Sequence, residues 1–242
     1  MPYFRNISAP IFEDSENGVG DILFLHIPKT GGTSVENYFY SKYAQKIQRN
    51  YLSLYGTKYG YTTALQHMTY REIKVAVDGG RDNIFKRFDL SSPKLVIITI
   101  VRNPYHRVLS ELFSTRRLPL IGTVSSDYVE SAIDKYLNDP STPPPGDNNH
   151  RLPQWNFFID AIHDIESARA EGRAHPRLII LQTEQLTEQM QDLGFTDFAQ
   201  NYNRSSPFVR EAATSYDDLL TDAARSKIAG FYKEDVEFFK HA

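Results

Sequence analysis

Residues 28–34 read PKTGGTS, a set whose types and order suit the binding of an anion. Gly31 and Gly32 let the backbone curl closely around a bound group, and Lys29 adds a mobile full charge beside them. Thr33 or Ser34 is placed to cap a following helix, whose free N–H groups and positive dipole end attract negative charge. Lys29, Thr30, Gly31, Gly32, Thr33 and Ser34 are therefore one candidate phosphate cradle. The spacing differs from GxxxxGK[ST], where the lysine follows the glycines and the next hydroxyl holds magnesium. Here Lys29 precedes the glycines, so a phosphate-like group still fits while the usual magnesium ligand is replaced.

Such a cradle needs a strand before it and a helix after it. Ile22, Leu23, Phe24, Leu25 and Ile27 make a short apolar run that predicts a strand buried on both faces, ended by Pro28, which has no N–H for the ladder. The helix is expected to run through roughly Tyr43. A second such unit starts at Lys94–Val101, KLVIITIV, a β-branched run that predicts a central parallel strand. It ends in Arg102-Asn103-Pro104, and Pro104 pre-sets the first turn of a helix to about Arg116. This strand ends in arginine where a nucleotide hydrolase commonly places a magnesium-ordering aspartate. Between the two units, Thr69 and Glu72 have capping-box spacing, which puts His67 on a loop just before a helix, its ring free to face a pocket. Histidine titrates in the range useful for taking a proton.

Residues 26–34, HIPKTGGTS, resemble the 5′-phosphosulfate loop of the carbohydrate sulfotransferases that use 3′-phosphoadenosine 5′-phosphosulfate (PAPS), the sulfotransferase family 2 and heparan-sulfate O-sulfotransferase group. VRNPYHRVLSELF, residues 101–113, resembles that family's 3′-phosphate motif, with His106 where aspartate is common and Arg107 kept. The resemblance implies that Arg102 and Ser110 grip the donor's 3′-phosphate, in keeping with a guanidinium that takes two oxygens and a helix hydroxyl about two turns on. It also implies that His67, in HMTYRE, takes the proton of the acceptor hydroxyl, with Glu36 as the second candidate base. Lys29 then offsets charge on the departing nucleotide oxygen. His150-Arg151-Leu152-Pro153-Gln154 is similar to an H-x-R-P-Q segment near the family's cleft, with the arginine shifted by one place, so Arg151 and Gln154 are candidates for ligand contact. LQTEQL resembles a strand-then-E-x-L segment in which Glu184 holds a structural hydrogen bond, and Asn203-Arg204-Ser205 lies in a loop, where related donor-binding loops can reach the nucleotide.

The composition frames these motifs. At 242 residues, 40% hydrophobic and 24% charged, the chain suits one globular α/β domain. A net charge of −3 argues against bulk nucleic-acid binding, so an anionic ligand needs a local basic patch. With no cysteine there are no disulfides, thiolate metal sites or cysteine nucleophiles, and the scattered histidines form no HExxH pair, so no metal is expected. No apolar run approaches ~20 residues and no leader is visible, so no membrane span and a cytoplasmic location are expected.

Residues 1–20 read as an irregular lead-in, and Lys42, Lys46 and Arg49 precede a tyrosine- and glycine-rich stretch, Tyr51–Tyr61, suited to an ordered loop. Arg116 and Arg117 lie toward the expected acceptor side, a helix is expected over Ser126–Leu137, and residues 138–151 form a proline-rich loop. Trp155, Phe158, Ile159 and Ile162 recur at helical spacing as a core face. Arg177–Leu181 is a strand followed by a helix over about Thr183–Leu193. The apolar stripe within Asp217–Phe239 predicts a helix that packs on the sheet.

These readings converge on an open, mostly parallel α/β sheet with helices on both faces, the P-loop-like sulfotransferase fold that the resemblance implies. They imply an enzyme that moves a sulfuryl group from PAPS, used as co-substrate, to an acceptor hydroxyl, expected on a carbohydrate. An ATP–magnesium kinase of a small molecule or sugar, and a non-catalytic nucleotide- or glycan-binding module, remain as alternatives. The acceptor and the oligomeric state are not legible in the sequence.

Overall fold

Three strands lie side by side in parallel, in the order β1 (Ile22–Leu25), β2 (Val96–Val101), β3 (Arg177–Gln182). The computed structural model describes residues 22–43, 65–79, 89–119, 124–139, 149–199 and 215–240. Ile22 pairs with Val96 and Val96 with Arg177, which brings all three carboxyl ends to one edge. Every residue of β2 is buried, as its continuous apolar run requires of a central strand.

The alternation of side chains divides the core between the two faces. Leu23, Leu25, Ile97 and Ile180 pack with Tyr70 and Ile73 of α2 (Tyr70–Asp78) and with Phe158 and Ile162 of α5 (Trp155–Ala170). On the other face, Ile98, Ile100 and Leu181 meet Val35 and Phe39 of α1 (Gly32–Tyr43) and Met190 of α6 (Leu186–Asp192). The expected α/β architecture with helices on both faces is thus present. The helices start where the capping residues place them. Thr69 and Glu72 form the full capping box at α2, and Asn103 caps α3 (Pro104–Ser114) with proline in its first turn.

A third apolar cluster lies apart from the sheet and corrects the expectation for the C-terminal segment. The stripe is not one helix: a 3₁₀ turn at Asp217–Leu219 precedes α7 (Asp222–Phe231), and α8 (Lys233–Lys240) follows a break at Tyr232, whose ψ of 44° departs from the helix. Ala224, Ile228 and Tyr232 pack on Leu109 and Leu112 of α3 and Ile133 of α4 (Ser126–Leu137), so most of the stripe serves a helix–helix core. From α8, Phe238 and Phe239 reach the cluster on the sheet. The helix expected over Thr183–Leu193 is a 3₁₀ turn, Thr183–Gln185, followed by α6. Lys46, Arg49, Tyr51–Tyr61, the middle of the proline-rich loop and Asn203–Ser205 lie outside the described residues, as do residues 1–20 and the side chain of Lys42.

Candidate active site

Each carbonyl from Ile27 to Gly31 is engaged by a donor from the protein. Thr30 Oγ1 donates to Ile27 O at 2.8 Å, Arg107 Nε to Pro28 O at 3.0 Å, and Arg102 Nη1 to Lys29 O at 3.2 Å. Thr183 Oγ1 donates to Thr30 O at 2.6 Å and the Ser34 amide to Gly31 O at 3.0 Å. The turn is therefore stitched from the ends of β2 and β3 and from α3, and its carbonyl dipoles are held by partners inside the protein. The amides of Thr30, Gly31, Gly32 and Thr33 remain as donors at the start of α1, while that of Ser34 closes the turn.

The two glycines have different reasons to be glycine. Gly31 has φ 91°, the left-handed region in which a side chain is strained. At Gly32 a Cβ would lie 2.2 Å from Cδ2 of His26, so the ring of the strand-end histidine occupies that space. Lys29 is itself left-handed, at φ 68°, a strain of about 1–2 kcal/mol for a residue with a side chain. Burial lowers the pKa of its ammonium, Glu111 pulls it back up, and Arg102 pushes it further down.

Arg102 is fixed by its backbone as well as by its side chain. Gln154 clamps it at both ends of the peptide unit: the Arg102 amide donates to Gln154 Oε1 at 2.8 Å, and Gln154 Nε2 donates to Arg102 O at 2.9 Å. Gln154 is held in turn, because Asp235 accepts from the amides of Gln154 and Trp155, both at 2.8 Å. Burial raises the Asp235 carboxyl above its ordinary value, against the opposing charge of Arg107. The Arg102 guanidinium lies 5.4 Å from the centre of the Tyr216 ring, and burial lowers its pKa. Its Nε and the Tyr216 hydroxyl are buried without a well-formed hydrogen bond among the described residues, though Tyr216 lies close enough to the guanidinium to favour its charge. Ser110 is partly buried about two turns into α3, next to the buried Glu111.

His67 is buried at 6% exposure on the 3₁₀ turn Leu65–His67, directly before the capping box. Asn149 Nδ2 donates to His67 O at 3.0 Å and to Glu72 Oε2 at 3.1 Å, which pins the turn from across the fold. The His67 ring meets two others edge to face, His26 at 5.0 Å and His150 at 4.9 Å between centroids. Each outer ring faces a glutamate: His26 Nδ1 lies 2.8 Å from Glu36 Oε1, and His150 Nδ1 lies 3.0 Å from Glu111 Oε2. Burial works to raise the pKa of Glu111, but the His150 hydrogen bond and the charges of Lys29 and Arg107 outweigh it and hold the carboxyl below its ordinary value.

Several candidates brace these junctions from behind. Arg151 is 5% exposed, and its Nη1 donates to the carbonyls of Tyr136 and Asp139 at 3.3 and 2.7 Å. Arg151 therefore braces the end of α4 through one nitrogen of its fork, and Gln154 positions Arg102. Arg107 spends its fork on the carbonyls of Pro28, Leu152 and His150. Glu184 accepts from the Asn103 amide at 3.1 Å, the structural role expected of it. Arg116 and Arg117 line a groove of about 660 Å³ with Tyr128, Lys135 and Asn138, in which Arg117 is paired with Asp139 at 3.1 Å.

Sequence reasoning gave no role to His26 and His150, although both stand in the motifs it used, and it missed Glu111, Asn149, Tyr216 and Asp235 as parts of this region. Glu111 stands four residues after Arg107 on α3, a helical-face signal that was available in the sequence. Among the described residues, no group of three or more histidine, aspartate or glutamate side chains is placed to hold a metal ion. No described helix is long and apolar enough to cross a membrane.

Compared with known proteins, residues 17–242 match a family model described as "Sulfotransferase family". No curated protein and no solved structure gives a match.

Proposed function

Because the chain belongs to the sulfotransferase family, whose members transfer sulfuryl groups, we propose that its donor is PAPS and its acceptor a hydroxyl, on a carbohydrate. The observation that carries this reading is the hydrogen bond from Arg102 Nη1 to Lys29 O, because it puts the two motifs in direct contact. A nucleotide phosphorylated at both ends needs two such grips within the span of one molecule. The buried Nε of Arg102 and the Tyr216 hydroxyl supply donors suited to a phosphate, which supports the fit of the 3′-phosphate end. The extent of the match, residues 17–242, supports one sulfotransferase domain across the chain.

In this reading PAPS supplies an activated sulfuryl group with a nucleotide phosphate as its leaving group. The amides of residues 30–33 and Lys29 bind the phosphosulfate end, and Lys29 offsets the negative charge that develops on the departing oxygen. Arg102 and Ser110 hold the ribose phosphate and so fix the donor's register. His67 accepts the proton of the acceptor hydroxyl as its oxygen attacks sulfur. The alternative base, Glu36, has its carboxylate engaged by His26, which favours His67.

Calorimetric titration with adenosine 3′,5′-bisphosphate against ATP–magnesium tests the donor, and a transfer assay over a panel of saccharide and non-saccharide alcohols tests the acceptor. Binding of ATP–magnesium in preference to the bisphosphate would sink the reading. His67→Ala is expected to lower turnover by roughly 10²–10⁴-fold while bisphosphate affinity stays within about twofold. Full activity in that variant would move the base elsewhere.

A further inference from the structure

Tyr216 sits against the arginine at the end of β2 with its hydroxyl unspent. The residue is 7% exposed, its ring centre lies 5.4 Å from the Arg102 guanidinium carbon, and its buried hydroxyl makes no well-formed hydrogen bond among the described residues. Arg102 Nε is in the same condition, while Arg102 Nη1 is taken by Lys29 O. A guanidinium has only N–H donors, so it leaves the proton of the neighbouring hydroxyl without an acceptor. Buried donors that lack an acceptor cost stability, and a ligand oxygen offered to both would recover it.

The ring is held in this place by the helices around it. It stacks on Phe113 of α3, with 6.0 Å between centroids and 17° between planes, and meets the His106 ring at 5.6 Å. The next residue is tied to both neighbouring helices: Asp217 Oδ2 lies 3.3 Å from His106 Nε2 of α3, and Asp217 Oδ1 accepts from Arg225 Nη2 of α7 at 2.8 Å. The Arg225 fork also reaches Asp217 O at 3.3 Å. Side chain and backbone at 217 are thus both anchored, directly beside the residue that faces Arg102.

We propose that Tyr216 is a specificity-determining residue of the donor site: its hydroxyl donates to the 3′-phosphate beside Arg102, and Asp217 is the positioning residue that keeps the ring in place. The proposal rests on the donor reading given above and deepens it. Arg102 already brings a full charge to this end, and a second cation there would be repelled by it, whereas a neutral hydroxyl adds a directed bond. A nucleotide without the 3′-phosphate leaves both donors buried and unpaired, so the site rejects it more strongly than an exposed contact could.

The test is calorimetry of the full chain with adenosine 3′,5′-bisphosphate and with adenosine 5′-monophosphate, which differ only in the 3′-phosphate. Tyr216→Phe removes the hydroxyl and keeps the ring on the guanidinium. It is expected to weaken bisphosphate binding about tenfold and to leave monophosphate binding within about twofold. Asp217→Ala is expected to weaken the bisphosphate by about two- to fivefold, again sparing the monophosphate. Without nucleotide, Tyr216→Phe should melt no lower than the unaltered protein, because its hydroxyl has no well-formed bond to lose. An unchanged ratio of the two affinities in Tyr216→Phe would overturn the proposal, as would failure of that variant to fold, which would make the hydroxyl a structural anchor. An unchanged ratio in Asp217→Ala would remove its positioning role. Preference of the unaltered protein for ATP–magnesium would sink the donor reading and this proposal together, whereas a bisphosphate preference that survives Tyr216→Phe in full would sink the tyrosine assignment alone.

Discussion

At the end of β1 the groups offered to a ligand are mainly backbone amides; at the end of β2 they are side chains. The first junction, residues 26–34, carries two left-handed residues, Lys29 and Gly31, and a glycine that makes room for a histidine ring. It holds that shape because Arg107, Arg102 and Thr183 pull its carbonyls from outside. The second junction, residues 101–110, has a short entry through Asn103, whose side chain accepts from the amides of Tyr105 and His106. There Asn103 caps the helix, Gln154 and Glu184 hold the strand end from across the fold, and the grip depends on side chains. The first junction should therefore be damaged by adding atoms to its backbone turn or by removing its one full charge, Lys29, and the second by removing side-chain atoms.

The sharpest test of that contrast is at Lys29, the one mobile charge on the backbone-built side. Lys29→Ala is expected to cut turnover by roughly 10²–10³-fold, read from single-turnover rates at saturating donor. Lys29→Gly should cut it equally while relieving the left-handed strain, so a comparison of urea midpoints separates charge from conformation. The same residue sets a pH limb. Its pKa lies below the ordinary lysine value of 10.5, so the charge and the turnover it supports are lost on the alkaline side earlier than for a free lysine. The sign for stability is opposite: the folded state binds this proton less well than the unfolded one, so the Lys29 contribution to stability rises with pH through that window.

Next in size is Arg102→Ala, expected to weaken binding of adenosine 3′,5′-bisphosphate by about 10–100-fold, the loss of one or two charge-assisted hydrogen bonds, as read by calorimetry. Gly32→Ala should follow. Its new methyl meets the His26 ring, so a loss of roughly 1–3 kcal/mol in folding stability is expected, with weaker bisphosphate binding. The smallest effect belongs to Asn103→Ala, about 1 kcal/mol of stability from a lost helix cap, with bisphosphate affinity little changed. If Asn103→Ala cost more affinity than Gly32→Ala, the contrast between the junctions would be wrong.

The same contrast explains what was legible in the sequence. Both junctions could be found from residue order alone, because glycine, proline and a capping asparagine act on their immediate neighbours. His67 was placed by the Thr69–Glu72 pair for the same reason. Contacts made over long stretches of chain were not legible. Gln154 and Arg151 read only as candidates for ligand contact; that Gln154 clamps Arg102 and that Arg151 Nη1 reaches the carbonyls of Tyr136 and Asp139 is visible only in the fold. Gly32 looked like a loop residue shaped for phosphate, whereas its reason for being glycine is His26. The stripe before Phe239 predicted one helix, because periodicity says nothing of the break at Tyr232 or of which neighbour receives each face.

Asp235 has a consequence for how the protein comes into being. It anchors the start of α5, and through Gln154 it steadies the arginine at the end of β2. A ribosome releases the PKTGG turn some two hundred residues before Asp235, so a growing chain carries its first ligand-binding motif long before the brace for the second exists. The nascent protein should therefore be a poor trap for nucleotides until Asp235 has emerged.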